Sequence, residues 1–185
     1  MNIGAQPRTS AGVYQGPDSS TTTITAGQAV TTDAVRPLDV PDADEVVYAD
    51  YPAVGDVIGS LSIPALEQTF PIVEGTGDGE LKRGVGHFAQ SVLPGVNDNC
   101  VLSGHRDTVF TDLGKLKTGD QLVVETSAGT FIYEISRIRI VDKDDKTVIV
   151  PTNHAVLTVT TCYPFNYVGS APDRYILVAD LVTNP

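Results

Sequence analysis

Cys162 closes a β-like apolar run, Ala155-Val156-Leu157-Thr158-Val159-Thr160-Thr161, and twelve residues later Arg174 opens another. A third residue with chemistry to offer, His105, stands in Gly104-His105-Arg106-Asp107-Thr108. The thiolate is the reactive form of cysteine, and an imidazole that takes its proton, or sits beside it as a cation, raises the reactive fraction. Arginine stays charged at any working pH and presents five donors, which suits it to a carbonyl oxygen turning into an oxyanion. Thiol, imidazole and guanidinium together point to thiol acyl-transfer chemistry.

The elements that must position these groups are short. From Val57 onward, β-type runs alternate with turn residues, a pattern that favours an all-β barrel or sandwich over βαβ units. The candidate strands are Val57 to Ile63, Phe70 to Val73, Cys100 to His105, Gln121 to Thr126, Thr130 to Val141, Val148 to Val150, Ala155 to Thr161 and Arg174 to Leu181. Turn signals at Gly119-Asp120 and Ala128-Gly129 make the fourth and fifth of these a hairpin,. Helix is confined to a turn or two at Gly79 to Arg83 and Thr111 to Leu116. Residues 1 to 50 are rich in Thr, Ala, Asp, Ser, Gly and Pro, and bury too little to offset their ordering entropy,. That segment reads as an extended linker or stalk, with Val46-Val47-Tyr48 available for a short edge contact, and residues 51–185 as the domain.

The order of these motifs resembles the sortases. Leu157 to Cys162 followed by Arg174 is similar to their Thr-x-Thr-Cys and downstream arginine, and Gly104-His105-Arg106-Asp107-Thr108 to their histidine motif. Thr161-Cys162-Tyr163-Pro164-Phe165, with Gly169-Ser170-Ala171-Pro172 ahead of Arg174, looks most like the class D group. The likeness continues upstream through Ile58 to Pro64 and Gly84 to Phe88. It implies an eight-stranded sortase-type β-barrel, which the eight candidate strands match. It also implies a cysteine transpeptidase with Cys162 as nucleophile, His105 as acid/base partner and Arg174 as oxyanion or backbone holder.

Each assignment has a plainer competitor. A free cysteine is most often a small buried apolar residue, and Cys100, at a strand start with no arginine-led strand after it, is read that way. Strand parity sets Leu157, Val159 and Thr161 on one face and Val156, Thr158, Thr160 and Cys162 on the other, so the thiol can project into a groove. His87 and His154 lack the motif of His105 and are read as bystanders, His87 packing near the site. Arg106, Arg137 and Arg139 lack the placement of Arg174. Asp107, two residues from His105, is possible support through the following loop rather than a member of the triad. By the resemblance Thr161 contacts substrate, while Tyr163 and Phe165 either wall a bound peptide or pack the loop. Asp142, Asp144 and Asp145 resemble the calcium ligands of some sortases, but without the glycine and distal glutamate of a helix-loop-helix site they read as a solvated turn. No metal site and no cofactor are expected.

The chain has 185 residues and a formal charge of −11, which argues against nucleic acid or anionic membrane as the main partner,. Its two cysteines are expected to be free thiols,. Nothing in it reaches the length of a bilayer span or has the order of a signal peptide. Since sortases usually carry an N-terminal anchor, the resemblance places the domain on the outer face of the cytoplasmic membrane with the anchor removed from this chain. The expected reaction is cleavage of a Leu-Pro-x-Thr-Gly-like sorting signal after threonine, through a thioacyl-enzyme, with transfer to an amine of a cell-wall precursor or a pilin lysine. Two alternatives remain at this point: a cysteine peptidase using the same triad for hydrolysis, and a non-catalytic peptide-binding barrel.

Overall fold

The computed structural model describes residues 46, 48–167 and 169–182. Eight strands form a closed barrel: β1 (Val57–Ile63), β2 (Gln68–Glu74), β3 (Val85–His87), β4 (Asp98–Ser103), β5 (Gln121–Thr126), β6 (Gly129–Asp142), β7 (Ala155–Tyr163) and β8 (Asp173–Leu181). Around the barrel they run β1-β2-β3-β4-β7-β8-β6-β5. The pairs β2–β3 and β4–β7 are parallel and the others antiparallel. One short helix, α1 (Asp78–Leu81), and 3-10 turns at Pro64–Leu66 and Leu113–Lys115 fill the connections. Among the described residues no helix is long and apolar enough to cross a membrane.

Alternation explains which face each strand buries. Leu122 and Val124 of β5 point inward between exposed Gln121 and Glu125, and Phe131, Tyr133 and Ile135 of β6 do the same between Thr130, Glu134 and Ser136. A register shift between Ile135 and Arg137 then resets the alternation, so that Ile138 packs on the core while Arg137 faces out,. The predicted hairpin of β5 and β6 is present, from Gln121↔Glu134 to Thr126↔Gly129.

Strand β7 departs from simple alternation, because Ala155 to Val159 are buried on both faces. The outer cover is the β6–β7 connection: Asn99 donates from Nδ2 to the carbonyls of Val148 and Val150, and its Oδ1 accepts the Thr158 hydroxyl at 2.7 Å. Val148 to Val150, expected as a strand, is therefore a strap whose backbone is held by one amide side chain. The eighth strand is instead β3, only three residues long and containing Gly86. The run expected from Cys100 to His105 begins at Asp98 and ends at Ser103, which leaves His105 outside the sheet. The run ending at Thr161 continues through Cys162 to Tyr163.

Most of the expected linker, residues 1–45 and 47, lies outside the described residues. Val46 packs on the core edge, and the Tyr48 hydroxyl donates to the Pro94 carbonyl at 2.7 Å and meets Thr126 Oγ1 at 3.2 Å. Burial pushes the Tyr48 phenol up to about 12. Thr126 pairs with Gly129 at the start of β6, whereas Arg174 pairs with Val141 near its end. Tyr48 therefore docks on the order of 40 Å along that strand from Arg174, at about 3.3 Å per residue.

The same end is closed by Gly95, whose φ of +87° and contact with Phe131 exclude a side chain,. Its amide donates to the buried Tyr133 hydroxyl at 2.7 Å. Tyr133→Phe would strand that buried N–H, so a loss of about 1–3 kcal/mol is expected in urea unfolding.

Candidate active site

Cys162 and Arg174 lie directly opposite each other across the antiparallel pair of β7 and β8. Such residues project to the same face with Cβ atoms about 4.5–5.5 Å apart. Their neighbours Thr161 and Tyr175, also opposite each other, are buried on the inward face, so Cys162 and Arg174 face outward. Cys162 is a half-buried free thiol. Arg174 donates from Nη1 to the carbonyls of Ala171 (3.3 Å) and Asp173 (2.9 Å), which fixes its guanidinium at the strand entrance.

His105 reaches the same level from the other side of β7. In the parallel pairing of β4 with β7, Ser103 is level with Thr160. Extended by two residues, that register leads His105 toward the level of Cys162 on the neighbouring segment. The alignment continues past the end of β4 because Gly104 N–H donates to the Thr160 carbonyl at 3.1 Å, while its own carbonyl accepts the Thr161 hydroxyl at 2.7 Å. Only glycine fits at 104, since a Cβ would stand 2.4 Å from the Phe110 ring. Beyond it, the His105 carbonyl accepts from the amide of Phe110 at 3.0 Å, closing a tight turn.

The other residues singled out from sequence divide clearly. Thr161 is buried, with its hydroxyl engaged by Gly104. Tyr163 and Phe165 form an aromatic cluster with Tyr175, ring centres 5.2–6.1 Å apart, and both pack on the core edge. They also line a cavity of about 410 Å³ with Thr111, Asp112 and Lys115. Asp107 is exposed on the turn after His105. His154 is exposed and pairs with Asp180 at 3.0 Å, at the start of β7. In the Asp142 to Asp145 segment, Asp142 accepts from the Asp144 amide and Asp145 holds Thr147, so those two carboxylates stabilise the turn.

His87 is fully buried, with Nδ1 2.6 Å from Glu74 Oε2 and Nε2 3.0 Å from the Val92 carbonyl and 3.1 Å from Ser91 Oγ. A carbonyl accepts only from a protonated Nε2, and Ser91 directs its own hydroxyl to the Phe88 carbonyl. The imidazole thus has no lone pair for Ser91, and this Ser-His-Glu array holds the β3–β4 connection rather than activating a nucleophile. Sequence reading identified His87 as structural but had no signal for its partner Glu74. Arg106 was passed over as well: its side chain binds the loop after Cys162.

The sortase domain model matches residues 61–182. The chain belongs to the sortase family of cysteine transpeptidases. It is 50% identical over 133 residues to Sortase D of Bacillus subtilis (strain 168), covering 71% of this chain and 67% of that one. A Clostridium perfringens Sortase D5 transpeptidase structure superposes with a TM-score of 0.64 at 30% identity, over 71% of this chain and 82% of that one. Sortase A from Corynebacterium diphtheriae gives 0.65 at 28%, over 72% and 64%. The class D likeness read from the loop after Cys162 agrees with the first two.

The two thiols differ sharply. Burial, with the Glu74 charge adding, pushes the Cys100 thiol far above the ordinary range,. Iodoacetamide at pH 8 is expected to modify Cys162 in the native protein and to reach Cys100 only after unfolding, as peptide mass mapping would show. Thr161→Val removes the hydroxyl that holds Gly104. It is expected to cost about 1 kcal/mol in thermal unfolding and to slow Cys162 alkylation by disturbing the level of His105.

Proposed function

We propose that this sortase domain cleaves a Leu-Pro-x-Thr-Gly-like sorting signal after threonine and transfers the acyl group to an amine. The observation that carries the reading is the register that sets Cys162 opposite Arg174, with Gly104, the residue before His105, bonded to Thr160 and Thr161. In this mechanism the Cys162 thiolate attacks the threonine carbonyl, and the Arg174 guanidinium binds the oxygen as it gains charge. His105 donates a proton to the departing glycine amine as the C–N bond breaks, leaving a thioacyl-enzyme. An incoming amine then attacks the thioester carbonyl, His105 takes its proton, and the C–S bond breaks to return the thiolate. Thr161 supports this by holding Gly104 and by offering backbone to the substrate, and Tyr163 and Phe165 shape the loop beside the thiol. No step calls for a metal or cofactor.

The donor is an exported protein with a C-terminal signal and the acceptor an amine of a cell-wall precursor or a pilin lysine. Both place the domain on the outer face of the cytoplasmic membrane. A hydrolytic peptidase would use the same groups, so capture by added amine separates the two reactions.

Mass spectrometry with a Leu-Pro-x-Thr-Gly peptide set, with and without glycine or diaminopimelate, is expected to give an amine-linked product with wild type. Cys162→Ala should abolish the adduct and the product. His105→Ala should lower kcat/KM by about 10²–10⁴ and Arg174→Ala by about 10²–10³. Hydrolysis unaffected by amine would favour the peptidase reading, and absence of any thioacyl adduct would sink both.

A further inference from the structure

Arg106 follows His105 directly, yet its side chain crosses to the loop that follows Cys162. Nη1 donates to the Pro164 carbonyl at 3.0 Å, and Nη2 donates to the carbonyls of Tyr167 and of Gly169, the latter at 3.1 Å. The guanidinium carbon also stands 6.0 Å from the centre of the Tyr167 ring, within reach of a cation–π contact. Among the described residues these are the only side-chain hydrogen bonds to the loop between Pro164 and Gly169. The far end of the loop is held separately, by Arg174 on Ala171 and Asp173.

The consequence is a symmetry of attachment around the reacting pair. On the N-terminal side of His105, Gly104 is tied to Thr160 and Thr161, the two residues before Cys162. On its C-terminal side, Arg106 is tied to Pro164 and beyond, starting two residues after Cys162. Thiol and imidazole are thus bracketed by the same two ties, and neither chain segment can slide without breaking one of them. Three carbonyls on one head group call for the planar fork of a guanidinium, which an ammonium cannot reproduce.

We propose that Arg106 is a positioning residue for the acyl-transfer reaction, setting the β7–β8 loop and, through it, the approach of the Cys162 thiol to the His105 imidazole. The inference rests on the transpeptidase reading of Cys162 and His105. Its test therefore has one arm that needs no substrate: the pH profile of Cys162 alkylation by iodoacetamide, measured for wild type, Arg106→Ala and Arg106→Lys. The second arm is kcat and KM for a sorting peptide.

Arg106→Ala is expected to shift the alkylation profile and to lower kcat/KM by about 10- to 100-fold, and added guanidinium chloride at millimolar levels to restore part of the loss. Arg106→Lys, which keeps the charge but not the fork, should stay nearer to Arg106→Ala than to wild type. An alkylation profile that superposes on wild type, with kcat/KM within twofold, would overturn the proposal. Should Arg106→Ala not fold, the lysine variant decides by the same criterion. A wild-type protein that transfers no peptide would remove the transpeptidase reading, while the alkylation profiles still decide whether Arg106 governs the thiol–imidazole pair.

Discussion

The parallel pairing of β4 with β7 is the constraint on which the site depends. It sets Ser103 beside Thr160, and the two Gly104 hydrogen bonds carry that alignment one residue past the sheet. The register has no freedom to slip by one, because Leu102 and Cys100 would leave the core and Asn99 would lose the strap of the β6–β7 connection,. The level at which Gly104, just before His105, leaves the sheet beside β7 is therefore fixed by burial several residues away. Arg174 joins through a second register, that of β7 with β8, so the strand that carries Cys162 is common to both pairings.

Polar groups inside the barrel follow the same economy. Every buried side-chain nitrogen or oxygen among the described residues has a hydrogen-bond partner, as unsatisfied polar burial is costly. Each of these bonds fastens a connection that the strands alone would leave loose. Glu74 and His87 hold the β3–β4 connection, Asn99 and Thr158 hold the β6–β7 strap, and the Tyr133 hydroxyl holds Gly95. Thr161 does this for the histidine segment itself.

What could be read from the chain was what short-range pattern encodes. Strands β1 and β5 were delimited to the residue, and the β5–β6 hairpin followed from its turn residues. Cys162, His105 and Arg174 were singled out by type and neighbours; the fold pairs Cys162 with Arg174 across β7 and β8 and has His105 on the segment that leaves β4 beside β7. Strand β3 was illegible because three residues with a central glycine carry no period. Val148 to Val150 misled because an apolar run suggests a buried strand, whereas Ile149 and Val150 are exposed on a strap held through its carbonyls by Asn99,. The parallel pairings were beyond reach, since no hairpin turn announces them. Arg106 escaped for a related reason: its partners are backbone carbonyls some sixty residues away, and carbonyls leave no trace in a sequence.

Closure of the barrel has a consequence for how any extended peptide meets this protein. Among the described residues every strand has a neighbour on each side, yet not along its whole length: Arg137 to Asp142 of β6 pair with β8 alone. A guest peptide that lengthens the sheet, the route many peptide-binding domains use, has only such partly paired stretches to join,. Elsewhere on the barrel, discrimination falls to side chains and connecting loops, which vary readily without disturbing the strands.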